Sequence, residues 1–143
     1  PIQPYARNAA DTNRSALHNT VYGFDDFMPR VIVDLNRACP VQLGVIDGIL
    51  TCEGGAGPWD TLLPADAGLL LAGFDPVAVD AVGTAVIGFD PEAPAGTRPF
   101  YGGENIMALA AQAGLGVNRP ADIQVVGESI ESVRFPFRLP GEV

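Results

Sequence analysis

The chain has 143 residues, 48% of them hydrophobic, which suits a single domain with a true core. Its formal net charge is −9 with a pI near 4.3, and all eight cationic residues are Arg; this excludes the basic face of a nucleic-acid binder and a polybasic membrane anchor. Gly 17 and Pro 13 fall short of a low-complexity composition and belong to turns.

No apolar stretch is long enough to span a bilayer, and the opening Pro1-Ile2-Gln3-Pro4 lacks the charged and apolar parts of a signal peptide. It also lacks an initiator Met, as expected of a processed or truncated product, so cytoplasmic and exported locations both stay open. Cys39 and Cys52 do not form a C-x-x-C pair and cannot alone supply the four ligands of a structural zinc or iron–sulfur site. They are expected to be buried free thiols.

In chain order, residues 1–20 are polar and aperiodic and read as an extended arm, closed by the sole histidine, His18. Asp25 or Asp26 can cap a helix running to about Ala38, with Phe27, Val31, Leu35 and Ala38 on its apolar face and Pro29 in its first turn. Pro40 stops the helix, and Val41–Ile46 reads as a buried strand. A Gly-rich loop follows, then a second buried strand at Ala67–Ala72. Asp75 as N-cap and Pro76 as first helical residue start a helix through Ile87 that is apolar nearly all round, with Gly88 at its end. Asp90–Tyr101 is a long Pro/Gly connection, and Asn105–Ala113 a third helix. Asp122–Val126 and Val133–Phe137 complete four strands, Pro136 marking an edge. The order predicts one α/β domain, with α+β as the alternative: a layered sheet of about four strands with three helices packed on it.

The chemistry concentrates between Val45 and Trp59. Asp47 at a strand end and Glu53 in the Gly-rich loop are the candidate catalytic or metal-binding carboxylates, since carboxylates converging beyond strand ends can hold a hard cation or act as an acid/base pair. Asp75 and Asp80 are weaker metal candidates; their ordinary roles are a helix cap and a residue satisfying a loop amide. His18 is a third catalytic candidate because of its near-neutral titration. The N–H groups around Gly48, Gly54, Gly55 and Gly57, beside Trp59, can cradle a phosphate or carboxylate. The loop is neither a P-loop nor a dinucleotide fingerprint, and no serine or cysteine has the surroundings of a nucleophile.

The succession L-H-N at Leu17–Asn19, I-V-D-L-N-R at Ile32–Arg37, V-I-D-G-I at Val45–Ile49, E-G-G-A-G-P-W at Glu53–Trp59, L-L-A-G-F-D-P-V-A-V-D-A-V at Leu70–Val82 and G-F-D-P at Gly88–Pro91, then G-L-G and I-Q-V-V-G, resembles the C-terminal part of domain-of-unknown-function family 362. The resemblance runs in order from about residue 14 to the end. It implies bacterial or archaeal proteins, many joined to ferredoxin-like domains with iron–sulfur cysteines and some exported by a twin-arginine signal. No iron–sulfur motif is present in this chain, so cluster binding does not carry over. The family's longer N-terminal portion, with a Lys-rich motif, is also absent, which implies that this chain is the C-terminal half of a longer protein. The Gly loop is one residue longer than the family's usual Glu-Gly-Asn-Gly-Pro.

Two functions are therefore expected to compete. In the first, the chain is the metal- or anion-binding part of a redox-associated enzyme, with a divalent metal as the candidate cofactor. In the second, it is a non-catalytic interaction module in which Trp59, Phe100 and Tyr101 dock the missing N-terminal portion or a partner subunit.

Overall fold

The computed structural model of the chain describes residues 24–54, 63–101, 103–139 and 142; the 1–20 arm with His18, and the loop residues Gly55, Gly57 and Trp59, lie outside them. Among the described residues, three helices and four strands make an α/β fold: α1 Phe24–Ala38, β1 Gly44–Gly48, β2 Thr51–Glu53, β3 Leu63–Ala65, β4 Leu69–Gly73, α2 Pro76–Val86 and α3 Ile106–Gln112, with a 3-10 turn at Pro120–Asp122. No helix among the described residues is long and apolar enough to cross a membrane.

The strands form one long, bent antiparallel hairpin rather than a layered sheet. β1 pairs with β4, and β2 pairs with β3. Gly48 faces Leu69 and Thr51 faces Ala65, so Ile49 and Leu50 oppose the three residues Asp66–Gly68. That extra residue is a bulge, and Gly68 takes φ 68° within it, a conformation that a side chain would resist. In sequence, the Gly-rich stretch after Glu53 joins β2 to β3. Both expected strands at this hairpin are real but start two or three residues later and end one or two residues later than the apolar runs suggest, the ladder extending to Gly48 and Gly73.

Neither strand of the β1–β4 pair is fully buried. Burial alternates along both, leaving Val45 and Leu70 on an outer face at 56% and 66% exposure. The inner face packs on α2. Gly73 permits this contact, since a Cβ there would lie 2.8 Å from Val79 Cγ2. As its all-round apolar surface predicts, α2 is central, burying Val77, Val79, Ala81, Val82 and Val86. Asp75 caps it and Pro76 is its first residue. α1 and α3 lie on its other side, where Val33, Val77, Ala81, Met107 and Ala110 form the core.

Several expectations are corrected. Among the described side chains of α1 the buried one is Val33, whereas Leu35 is 62% exposed and Ala38 is also exposed, so these two residues of the expected apolar face are not buried; the Phe27 side chain lies outside the described ones. Pro29 lies inside α1, beyond its first turn. No strand forms at Asp122–Val126; its first residue closes the 3-10 turn, and the rest joins no ladder. Val133–Phe137 is not a strand either. The N–H groups of Phe135 and Phe137 donate instead to the carbonyls of Val86 and Ile87, tying this segment to the end of α2. Cys39 and Cys52 are free, as expected, but exposed: one follows the end of α1 and the other lies on β2 opposite Pro64.

Candidate functional site

Glu53 is the last residue of β2, at the base of the Gly-rich loop, and faces Leu63. It is 9% exposed, and a buried carboxylate needs partners. Arg138 supplies them. Its backbone N–H donates to Glu53 Oε2 at 2.6 Å and its Nε to Oε1 at 2.8 Å, and its Nη2 also reaches Oε1. The adjacent Gly54 N–H donates to the Arg138 carbonyl at 3.1 Å. The guanidinium bonds, followed by the Arg138 N–H, outweigh desolvation and hold the Glu53 carboxyl below its ordinary range. The same contact raises the Arg138 guanidinium. A carboxylate so held is ionised at neutral pH and is poorly matched to proton transfer there.

The other candidate carboxylates stand elsewhere. Asp47 is exposed on β1 opposite Leu70, and its Oδ1 accepts from the Ile49 N–H at 3.1 Å, bracing the turn into β2. Gly48 is packed tightly against β4: a Cβ there would lie 3.3 Å from the Leu69 carbonyl. Asp75 uses both oxygens, Oδ1 accepting from Ala78 N–H and Oδ2 from Val117 N–H, each at 2.9 Å. Gly116 makes this clamp possible, because a Cβ there would stand 2.0 Å from Asp75 Oδ1.

Asp80 lines a cleft of about 80 Å³ with Val33, Asn36 and Met107, between α2 and its two helical neighbours. The residue as a whole stays exposed, yet its surroundings desolvate the carboxyl enough to raise its pKa. Among the described residues no three His, Cys, Asp or Glu side chains gather into a group able to hold a metal. The structure thus joins Glu53 to Arg138 and Asp75 to Gly116–Val117, and leaves Asp47 and Asp80 apart from both.

Of the three aromatics expected to dock a partner, Tyr101 is 52% exposed, Phe100 packs against the core and Trp59 lies outside the described residues. Arg98 lies over the Phe89 ring, 5.2 Å from its centroid, and pairs with Glu142 at 2.6 Å. Sequence reasoning missed the role of Arg138. A carboxylate at the foot of a loop needs a cation, but nothing adjacent in sequence marks which Arg supplies it. Sequence reasoning also missed Asn105, only 4% exposed, which accepts from Met107 and Ala108 N–H to cap α3 and donates to the Pro91 and Ala93 carbonyls. The pattern Asn followed by an apolar helix was a readable signal for the cap.

A larger cavity, of about 620 Å³, runs along β4. It is walled by all five β4 residues and by Gln124–Gly127, with Val79 and Val82 of α2 between them. Its volume is in the range of small-molecule and peptide clefts.

No curated protein and no solved structure matches this chain. The family described as "Domain of unknown function (DUF362)" matches residues 8–85, more than half of the sequence, and the chain belongs to that family.

Proposed function

We propose that the chain is the C-terminal half of a longer DUF362 protein and serves as an interaction module whose outer hairpin face seats the other half. The observation that carries this reading is the placement of its large apolar side chains. Among the described residues, the buried hydrophobic ones are Val, Ala and Met, whereas Leu35, Leu50, Leu70, Phe74 and Val126 are 62–88% exposed. Folded domains ordinarily put Leu and Phe inside, and a contiguous apolar patch marks an interface. Val45 and Leu70 share the outer face of the β1–β4 pair, and Phe74 follows immediately at 86% exposure. The test is association of this chain with the separately produced N-terminal portion of its longest gene product. Leu70→Asp with Phe74→Asp should abolish association while leaving thermal stability nearly unchanged, because both positions are solvent-facing. Undiminished association in the double variant refutes the reading.

A second reading keeps the ligand chemistry at the Gly-rich loop: a divalent metal or an anion bound by a redox-associated enzyme, with Asp47, Glu53 and the loop amides around Gly54 to Gly57, and with His18 joining them. What favours it is the clasp itself, since Arg138 fixes Glu53 and Gly54 at the foot of the loop. Glu53 could ligate a metal only by giving up part of that clasp. Elemental analysis of this chain and of the longest native product, both purified without oxygen, decides it. A stoichiometric divalent metal in both supports the hairpin site. Iron with sulfide only in the longer product moves the redox chemistry elsewhere, and no metal in either sinks the metal form of the reading.

A further inference from the structure

The cavity along β4 has three properties that together specify an occupant. First, it lies on the side of β4 away from β1: all five β4 residues line it and no β1 residue does. That edge therefore carries N–H and C=O groups not taken by the β1 ladder, and among the described residues no backbone hydrogen bond to Leu69–Gly73 comes from outside the hairpin. An open edge of this kind pairs with an extended chain. Secondly, its side walls are apolar, with Leu70 and Val126 at 66% and 88% exposure, so alternate side chains of an added strand would find apolar contacts. Thirdly, every ionisable residue lining it is acidic: Asp75, Asp122 and Glu128. Asp75 is spent on its two backbone bonds; Asp122 and Glu128 bracket the Ile123–Gly127 wall, Asp122 Oδ2 pairing with Arg119 at 3.7 Å and Glu128 Oε2 accepting from Ser132 Oγ at 3.3 Å, so each keeps a second oxygen for a further cation. Five residues of β4 span about 17 Å at roughly 3.3 Å per residue, enough to pair with a strand of ordinary length.

We propose that the groove along the outer edge of β4 binds an extended, cationic polypeptide segment, which adds to β4 as a further strand and places an Arg or Lys beside Asp122 or Glu128. The inference rests on the docking reading in that both use the same hairpin and share Leu70 and Phe74, but it assigns the edge of β4 and a defined chemistry. Backbone pairing would supply affinity, the apolar walls would select alternating side chains, and the carboxylates would select charge.

The experiment uses the 143-residue chain and three fluorescein-labelled octapeptides: Arg-Val-Thr-Val-Thr-Val-Thr-Arg, the same peptide with Glu at both ends, and the same peptide with Pro at its two central positions. Fluorescence anisotropy should show the first binding at least about tenfold more tightly than either control, because one control reverses the charge and the other removes backbone donors. Val126→Arg, at a position that is 88% exposed and so spared a folding cost, should weaken the first peptide by about tenfold or more. Equal affinities for all three peptides, no binding at about 1 mM, or a chain that dimerises through this edge and excludes the peptide would each overturn the proposal. Its fate is separable from that of the docking reading. Peptide binding by a chain that never associates with the N-terminal portion keeps the groove and removes the docking face. Association without peptide binding does the reverse.

Discussion

Asp75 and Gly116 form a clamp whose coupling can be calculated and measured. Asp75→Ala removes an N-cap, worth about 1 kcal/mol, and the bond to Val117 N–H, worth about 1 kcal/mol more. The expected loss is about 2 kcal/mol, or about 6 °C in Tm for a chain of this size. Gly116→Ala should cost a similar amount by a different route. Its Cβ would stand 2.0 Å from Asp75 Oδ1, so the carboxylate must swing away and surrender both bonds. Gly116 does not adopt a left-handed conformation, so the backbone itself tolerates Ala. With Asp75 already replaced by Ala there is nothing to strike, and Gly116→Ala should then cost no more than about 0.5 kcal/mol. Urea unfolding of the parent, both single variants and the double variant should give a coupling of roughly 1.5 kcal/mol. Additivity to within about 0.5 kcal/mol would refute the clamp.

Further outcomes follow from the other polar contacts. Glu53 has a folded pKa below 4.5, so its pairing with Arg138 stabilises the fold above the ordinary carboxylate range and is lost as pH falls through the lowered value; Glu53→Gln should lower Tm at neutral pH and flatten the acid limb of a Tm-against-pH curve. An unchanged acid limb would contradict the clasp. Asp80 behaves oppositely. Its folded pKa is raised above 3.8, so its charge destabilises the fold at neutral pH and the penalty fades as pH falls through the raised value; Asp80→Asn should raise Tm at neutral pH and give no gain in acid. Asn105→Ala should cost about 3 kcal/mol in urea unfolding, because it uncaps α3 and strands two buried carbonyls. For the ligand reading, Asp47→Asn keeps an oxygen for the Ile49 N–H, so metal or anion binding should fall far more than stability; equal losses would mark a turn-bracing residue only.

Local chemistry was legible in the sequence wherever one short segment decided the outcome. Asp75-Pro76 started α2, Gly88 followed its end, and the apolar composition of α2 placed it at the centre. The α/β class and the three helices also followed from the pattern, whereas only two of the four expected strands are strands. What remained hidden depended on partners distant in sequence. The apolar runs around Val45 and Leu70 look like buried strands, because periodicity records hydrophobicity and not whether anything covers the outer face. Val133–Phe137 has strand composition, yet its N–H groups meet the end of a helix. At the candidate site, Glu53 was conspicuous from its Gly-rich surroundings, but its partner lies 85 residues away. Gly116 is the second glycine of the G-L-G stretch after α3, and only the fold shows Asp75 against it.

The central claim is that the outer hairpin face is an interface between two halves of one protein. Amide hydrogen exchange, compared between this chain alone and the longest native gene product, tests it most directly. Marked extra protection of Gly44–Gly48 and Leu69–Phe74 is expected in the longer product, with α2 and α3 protected alike in both. Equal exchange of the hairpin in the two proteins would contradict it.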